Sequence, residues 1–262
     1  MSFHSSLTPP DGGMGPLPIN RAFVVDYLQV ASRVPSQPLV RRMSLGEVGR
    51  VREQACVRIG WTAVFTRAYA LLTERHPDLR LRVVEWPWLR LFRRPRQGAT
   101  ICVRREHLGL QWLFYYGIPQ PEQCSLDEIQ RELTHAATAD VESIESFRSQ
   151  IAYSRLPSPI RRLCWWAVLN SPKWLGKSMG GTVGITSVAS WGAISVHPPS
   201  VGVMVLTYGP LEQNGTMQVT LVYDHRLFDG ATIAMFLAEL ESILQTQIVG
   251  ELRQLSQSRS AA

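Results

Sequence analysis

Residues 222–230 read VYDHRLFDG and separate two segments of different hydrophobic periodicity. The preceding segment, TMQVTLVY at 216–223, has the apolar and β-branched composition that is typical of a buried strand. The following segment, ATIAMFLAELESIL at 231–244, has apolar residues at the three- and four-residue spacing of a helix. The sequence therefore predicts a strand, a short turn and a helix, with His225 at the end of the strand.

Three residues of this turn have properties that suit a functional or structural role. An imidazole at the edge of a sheet, as predicted for His225, can exchange a proton near neutral pH. Asp229 precedes the helix, where a carboxylate caps free backbone N–H groups, and Gly230 is free to adopt unusual backbone angles. The same pattern is also expected of an ordinary hairpin exit with a capped helix. Spacing alone leaves both interpretations open.

Helical and strand-like segments are mixed along the chain rather than strictly alternating, which predicts one α+β domain. The dipeptide Asn214-Gly215 between two apolar runs predicts a tight hairpin. We predict helices at 19–34, 60–76, 125–137 and 229–244, and strands at 38–45, 79–86, 88–92, 99–106, 108–117, 181–188, 201–209 and 216–223. We expect a flexible arm at 1–18, a folded domain at 19–250 and a flexible tail at 251–262.

The composition is that of a globular protein with a formal charge of +6. All of its 27 basic residues except Lys173 and Lys177 are arginines. This bias is explained either by codon usage or by anionic ligands, because a guanidinium binds phosphate through two parallel hydrogen bonds. We expect no nucleic-acid partner.

The four cysteines show no metal-ligand spacing, so we predict reduced thiols and no metal site. The N-terminus lacks the basic start and apolar core of a signal peptide, and no apolar run is long enough to cross a bilayer. We therefore predict a cytoplasmic protein.

Several motifs together resemble one known family. DHRLFDG and the helix after it, GGTVGITSVASWG at 180–192 and HPPSVGVMVLTYG at 197–209 are similar to segments of the 2-oxo acid dehydrogenase acyltransferases. These are the dihydrolipoyl acyltransferase components, whose catalytic domains belong to the chloramphenicol acetyltransferase-like superfamily. The first helix, from Arg21 onward, resembles the family's first helix. The likeness covers roughly residues 19–245 and is most specific at the C-terminal end.

The resemblance implies a role for each matching residue. His225 is the general base that removes a proton from the acceptor. Thr186 matches the hydroxyl that stabilises the developing oxyanion, and Ser187 takes that place if the register differs by one residue. Asp229 is a structural partner that orients the loop through an arginine, for which Arg21 is the matching candidate.

The resemblance also implies a fold and an assembly. We expect a single-lobe chloramphenicol acetyltransferase-like fold, with a mixed central sheet covered by helices, that forms homotrimers with active sites between neighbouring copies. The substrate is an acyl-coenzyme A, and the acceptor is a thiol, hydroxyl or amine, with a lipoyl group on a separate lipoyl-bearing or dehydrogenase protein as one candidate. No Asp-Lys pair occurs, so this chain has no lipoyl attachment site of its own.

Some positions depart from the family. Ala189 replaces an expected glycine, and Trp191 is unusually bulky. The sequence therefore does not define the acceptor pocket. Segment 158–177 is rich in tryptophan and arginine and predicts either a helix at a subunit interface or peripheral contact with an anionic membrane. A catalytically idle trimeric scaffold that anchors partners is the alternative function.

Overall fold

The structure is a computed structural model that describes residues 11–171, 174 and 181–257. The first ten residues of the predicted arm and the last five of the predicted tail lie outside the described residues, as do 172–173 and 175–180 of the tryptophan-rich segment. Residues 11–18 form no helix or strand. None of the helices in the described part of the chain has the length and apolar character that a bilayer crossing needs.

The helices and strands alternate irregularly, as an α+β chain does. The helices are α1 (Ile19–Ala31), α2 (Gly46–Gln54), α3 (Trp61–Arg75), α4 (Leu126–Thr138), α5 (Glu145–Ser154), α6 (Ser158–Asn170), α7 (Gly230–Ile243) and α8 (Val249–Gln257). The strands are β1 (Ser36–Ser44), β2 (Leu81–Val84), β3 (Arg90–Arg93), β4 (Gly98–His107), β5 (Leu110–Pro119), β6 (Val183–Thr186), β7 (Met204–Leu211) and β8 (Thr216–Asp224).

The main sheet has six strands in the order β1-β8-β7-β6-β4-β5, and β2 pairs with β3 in a separate hairpin. The pairs β4–β6 and β6–β7 are parallel, whereas the other pairs are antiparallel. The predicted mixed sheet is therefore confirmed. The short strand β6 lies in the middle of the sheet, two positions away from β8.

The two faces of the sheet have different surroundings because successive side chains point to opposite sides. On one face, Ile185 and Leu206 are buried in the main core, together with residues of α2, α3, α7 and α8. On the other face, Thr186 and Val205 border a cavity that α1 and α6 cover. The sheet therefore places a packed core on one side and a cavity on the other.

Aromatic side chains bind the helices to this sheet. Phe65 of α3 stacks on Tyr208 of β7 with ring centroids 4.6 Å apart. Phe114 of β5 stacks on Phe147 of α5 at 4.4 Å. Phe23 of α1 is buried among the rings of the opposite face. These contacts hold both helical layers against the strands that carry the candidate site.

The C-terminal boundary of the folded domain was predicted too early. Residues 251–257 continue α8 instead of forming part of a flexible tail, and the side chain of Leu252 is fully buried against the core. The polar composition of QLSQ concealed this because only one side of the helix is apolar.

The hairpin at Asn214-Gly215 is confirmed, with Gly215 at φ 79° where a side chain would be strained.

Candidate active site

His225 follows directly after β8, at the end where β1 begins. Its backbone N–H donates to the carbonyl of Pro35 at 3.1 Å, so the main chain is fixed to the segment before β1. The imidazole is exposed and lies 5.5 Å from the ring of Tyr223, centroid to centroid. A fixed backbone with an exposed ring is the arrangement that a base needs when its substrate comes from outside the chain.

The neighbours of His225 form an ion-pair network. The buried carboxylate of Asp224 accepts hydrogen bonds from the backbone N–H and the guanidinium of Arg226. Arg226 also donates to Glu85 at 2.7 Å. These bonds raise the pKa of Arg226 above its ordinary value. Arg226 is therefore paired with two carboxylates, those of Asp224 and Glu85.

Asp229 caps α7, as predicted. Its carboxylate accepts a hydrogen bond from the backbone N–H of Thr232 at 2.8 Å, and this bond holds the pKa of Asp229 below its usual value. Asp229 and Arg21 form no ion pair within the described chain, since α1 packs near β5, α5 and α6. The predicted link through Arg21 is thus not found in a single copy.

Gly230 begins α7 with ordinary backbone angles, contrary to the expectation of an unusual conformation. A Cβ atom at this position would lie 3.7 Å from both Leu39 and the hydroxyl of Tyr223, which is normal van der Waals contact. The glycine is therefore required neither by strain nor by a steric clash within this chain.

Thr186 is the last residue of β6 and is partly buried. Its side chain lies beside the thiol of Cys102 on β4, and both residues line the same cavity. Burial raises the pKa of this thiol to about 12, so Cys102 remains protonated at neutral pH. The sequence alone did not indicate a role for Cys102. It lies on the same face of β4 as Thr100, and both residues line the cavity next to Thr186. The pair presents neutral hydrogen-bonding groups, which suits the stabilisation of an oxyanion.

Ser187 has a different role in the structure. Its hydroxyl donates to the carbonyl of Tyr208 at 2.9 Å and accepts from the N–H of Ala189 at 3.1 Å. Both bonds hold the turn after β6, so this hydroxyl is already occupied. Of the two hydroxyls that the sequence left open, Thr186 is the one available to a ligand.

His225 and Thr186 are far apart within one chain. Thr186 is opposite Thr207 on β7, and Thr207 is opposite Thr220 on β8. His225 is five residues beyond Thr220, which corresponds to about 17 Å along the strand, and two strand spacings add about 10 Å across the sheet. The described residues around the cavities next to Thr186 do not include His225. The two groups of a single copy therefore cannot act on the same bond.

Thr186 borders two cavities, one on each side of the strand end. One, of about 400 Å³, is lined by Trp61 of α3 and by Ala189 and Ser190, which lie in the turn that departs from the family. Trp191 in this turn is exposed. The other cavity, of about 270 Å³, lies between the sheet, α1 and α6. A substrate can thus approach Thr186 from two directions.

A basic groove of about 710 Å³ lies beside Arg226. Arg33, in the turn after α1, and Arg162 of α6 border it, and both are exposed and form no ion pair within the residues that the structure describes. Trp86 and Trp166 lie in its wall, with ring centroids 5.2 Å apart. Guanidinium groups next to indole rings are suited to a ligand that combines phosphate with an aromatic base.

The described residues contain no group of three or more His, Cys, Asp or Glu side chains that could hold a metal ion. Two other histidines of the described chain have structural contacts. His197 bonds Ser36 at 3.1 Å, and His76 bonds Glu239 at 2.6 Å. His225 stays the candidate base.

Comparison with known families agrees with this geometry. Residues 180–249 match the family model of the 2-oxoacid dehydrogenases acyltransferase (catalytic domain). The segment is therefore similar to that family. The resemblance noted in the sequence is confirmed over these residues. The matched segment contains all the predicted site residues except Arg21.

Solved structures share the fold of this chain at low identity. The truncated catalytic core of the 2-oxoacid dehydrogenase multienzyme complex from Thermoplasma acidophilum is 18% identical, with a TM-score of 0.63 over 89% of this chain and 98% of its own. The dihydrolipoamide acetyltransferase of Azotobacter vinelandii is 19% identical, with a TM-score of 0.62 over 91% and 96%. A chloramphenicol acetyltransferase is 10% identical, with a TM-score of 0.52 over 87% and 98%. The predicted single-lobe fold is therefore confirmed. No curated protein matches the chain.

Proposed function

We propose that the protein transfers an acyl group between coenzyme A and an acceptor thiol, with His225 as general base. The observation that carries this proposal is the exposed imidazole of His225 on a fixed backbone within the family-matched segment. A lipoyl group on another protein is the acceptor favoured by the relatives, which include a dihydrolipoamide acetyltransferase.

The chemistry requires a base and an oxyanion donor. The imidazole of His225 accepts the proton of the acceptor thiol, and the sulfur attacks the carbonyl carbon of the acyl-coenzyme A. The electron pair of the C=O bond moves to oxygen, where the Thr186 hydroxyl donates a hydrogen bond. When this intermediate collapses, the C–S bond to coenzyme A breaks, and its sulfur takes the proton from the imidazolium. Removal of such an oxyanion donor typically costs about 10²–10³ in kcat.

The separation of His225 from Thr186 supports an active site shared between copies. One copy supplies the base and its neighbour supplies the hydroxyl, so an isolated chain is incomplete. In a homotrimer the copies pack head to tail in a closed ring. Each copy then contacts one neighbour through its His225 side and the other neighbour through its Thr186 side. We therefore propose a homotrimer as the active form, and larger trimer-based cores as its assembly in a multienzyme complex.

Coenzyme A also fits the surface next to the histidine loop. The groove bordered by Arg33 and Arg162 offers guanidinium donors for its phosphates and indole rings for its adenine. We infer a cytoplasmic setting from the four cysteines, none of which forms a disulfide.

Single-turnover consumption of acyl-coenzyme A with dihydrolipoamide, other thiols, hydroxyls and amines tests the proposal. We expect His225→Ala to lose at least ~100-fold in rate because the general base is removed. His135→Ala, at an exposed histidine of α4, is the matched control and should retain full activity. Equal turnover by wild type and His225→Ala would instead favour the idle trimeric scaffold.

A further inference from the structure

The 270 Å³ cavity between α1, α6 and the sheet has an apolar wall next to Thr186. Phe23 and Val24 of α1, Trp165 and Leu169 of α6, and Val205 of β7 contribute to that wall. The two helices that close it are joined by an ion pair, since Arg161 donates to the buried Asp26 at 2.6 Å. The cavity is thus a built feature of the chain, and its closing helix α6 lies in the segment that departs from the family.

The polar groups around this cavity are uncharged or bonded to the protein. The hydroxyl of Tyr27 donates to the carbonyl of Pro199 at 3.0 Å, and burial raises the pKa of Tyr27. The thiol of Cys102 is neutral because burial raises its pKa, and it lies beside Thr186. Arg82 is the charged residue among the described lining, and its guanidinium donates to the carbonyl of Val201 near the carboxylate of Asp224. Such a cavity favours hydrocarbon over water.

We propose that this cavity binds the hydrocarbon part of the transferred acyl group, so that the enzyme prefers a medium-length apolar acyl chain to acetyl. A thioester carbonyl held at the Thr186 hydroxyl would lie at the border of this cavity, since Thr186 is one of its lining residues. A cavity of about 150 Å³ binds benzene, so 270 Å³ accommodates an acyl chain on the order of eight carbons. This inference rests on the proposed acyl transfer for its chemistry, but the binding of a chain can be measured without turnover.

The first measurement is binding to the intact assembly. Calorimetry with the unreactive thioethers S-octyl-coenzyme A and S-ethyl-coenzyme A compares an eight-carbon with a two-carbon chain on the same carrier. We expect the octyl compound to bind at least ~100-fold more tightly, because each buried methylene adds favourable transfer free energy. Equal affinities would overturn the inference.

The second measurement is turnover across a panel of acetyl-, octanoyl- and adipoyl-coenzyme A. We expect the highest kcat/KM for octanoyl. A preference for adipoyl, whose far carboxylate would pair with Arg82, would replace the apolar occupant by an acidic one and overturn the inference.

Gly184→Val tests whether the preference arises in this cavity. Gly184 lies on β6 in the cavity wall, where a Cβ atom would meet the side chain of Val205 at an ordinary 3.6 Å. The added methyl groups should abolish the octyl preference and leave acetyl turnover unchanged. Gly117→Val is the matched control, since Gly117 lies on β5 in open space outside this cavity. Leu169→Trp on α6 fills the same cavity from another element if Gly184→Val does not fold.

The two proposals fail separately. One outcome is that the wild-type protein binds the octyl compound, Gly184→Val abolishes this binding, and no thioester is turned over. That outcome supports the cavity and refutes the acyl transfer. Acetyl turnover without any chain-length preference supports the transfer and refutes the cavity. An unchanged octyl preference in both cavity-filling variants also refutes the cavity.

Discussion

Asp224 and Arg226 are joined across His225 by a two-pronged ion pair. The Nε atom of Arg226 lies 2.9 Å from Oδ1 of Asp224, and Nη2 lies 2.6 Å from Oδ2. Asp224 is almost fully buried, whereas the histidine between the two is exposed. The loop is therefore held by the residues on either side of the imidazole, which leaves the ring free to meet a substrate.

Asp224→Ala should destabilise the protein by about 2 kcal/mol, because the loop loses the charged hydrogen bonds between Arg226 and this carboxylate, while Arg226 keeps its bond to Glu85. Urea unfolding measures this change. Arg226→Lys retains the charge but loses the planar fork, so we expect a smaller loss of stability together with a fall of about tenfold in kcat. Arg90→Lys, on the exposed hairpin strand β3, is the control. Unchanged stability in Asp224→Ala would show that this pair does not hold the loop.

Thr186→Ala and Ser187→Ala should separate the two hydroxyls. Thr186→Ala is expected to lower kcat by about 10²–10³ with little change in KM, since an oxyanion donor acts in the transition state. Ser187→Ala removes two hydrogen bonds of the turn and should lower the melting temperature more than the rate. Steady-state kinetics and thermal unfolding of both variants test this. The reverse pattern would move the oxyanion role to Ser187.

Asp229 should act mainly as a helix cap. Asp229→Asn preserves an acceptor for the Thr232 N–H and should retain the wild-type melting temperature at pH 7, whereas Asp229→Ala should lower it. This differs from the damage expected of both variants if Asp229 were paired with Arg21. A carboxylate whose pKa is lowered on folding stabilises the folded state at pH values above its ordinary pKa of 3.8. This contribution disappears as the pH falls through the lower pKa that the group has in the folded protein. Asp229→Asn should lack this acid-dependent loss, which melting curves from pH 5 to pH 2 would reveal.

Arg33 and Arg162 should contribute to the binding of coenzyme A. Replacing both by alanine is expected to raise the KM for acyl-coenzyme A about tenfold while kcat changes little, because exposed guanidinium groups bind the phosphates in ground state and transition state alike. The same variant should lose part of the salt dependence of KM. Arg131→Ala on α4, also exposed, is the control. An unchanged KM would exclude the groove as the coenzyme A site.

Local patterns in the sequence predicted the elements that are long and strongly periodic. The capped starts of α4 and α7 and the hairpin before β8 are each encoded by a few adjacent residues. The short helix α2 was missed because it buries only three of its nine residues, Val48, Gly49 and Val51. Short helices depend on tertiary packing for stability, so their own sequence carries a weak signal.

The arrangement of the site could be predicted only in part. Local spacing predicted His225 at the end of one strand and Thr186 near the end of another. It did not predict the distance between the two residues. That distance depends on the sheet order, in which β7 separates β6 from β8. Cys102 and Arg82 come next to the site through pairing and packing of distant segments, and no local pattern marks them. The absence of a contact between Arg21 and Asp229 has the same origin.

The exposed apolar side of α6 is predicted to meet another copy of the chain rather than a membrane. Ile160 and Leu163 are 47% and 63% exposed, although Trp165 on the same helix is buried within the chain itself. Clustered apolar exposure of this kind marks an interaction surface, and a single helix of 13 residues gives little anchorage in a bilayer. Ile160→Ser with Leu163→Ser should therefore shift the assembly towards smaller species in analytical ultracentrifugation.

Liposome flotation with and without anionic lipid distinguishes the two partners of this surface. We expect no lipid-dependent recovery of the wild-type protein, because its apolar side chains are covered in the assembly. Leu108→Ser, at an equally exposed leucine between β4 and β5, is the control and should leave the assembly intact. Recovery with anionic vesicles that Ile160→Ser and Leu163→Ser abolish would instead assign the α6 surface to a membrane, and the shared active site would then need another interface.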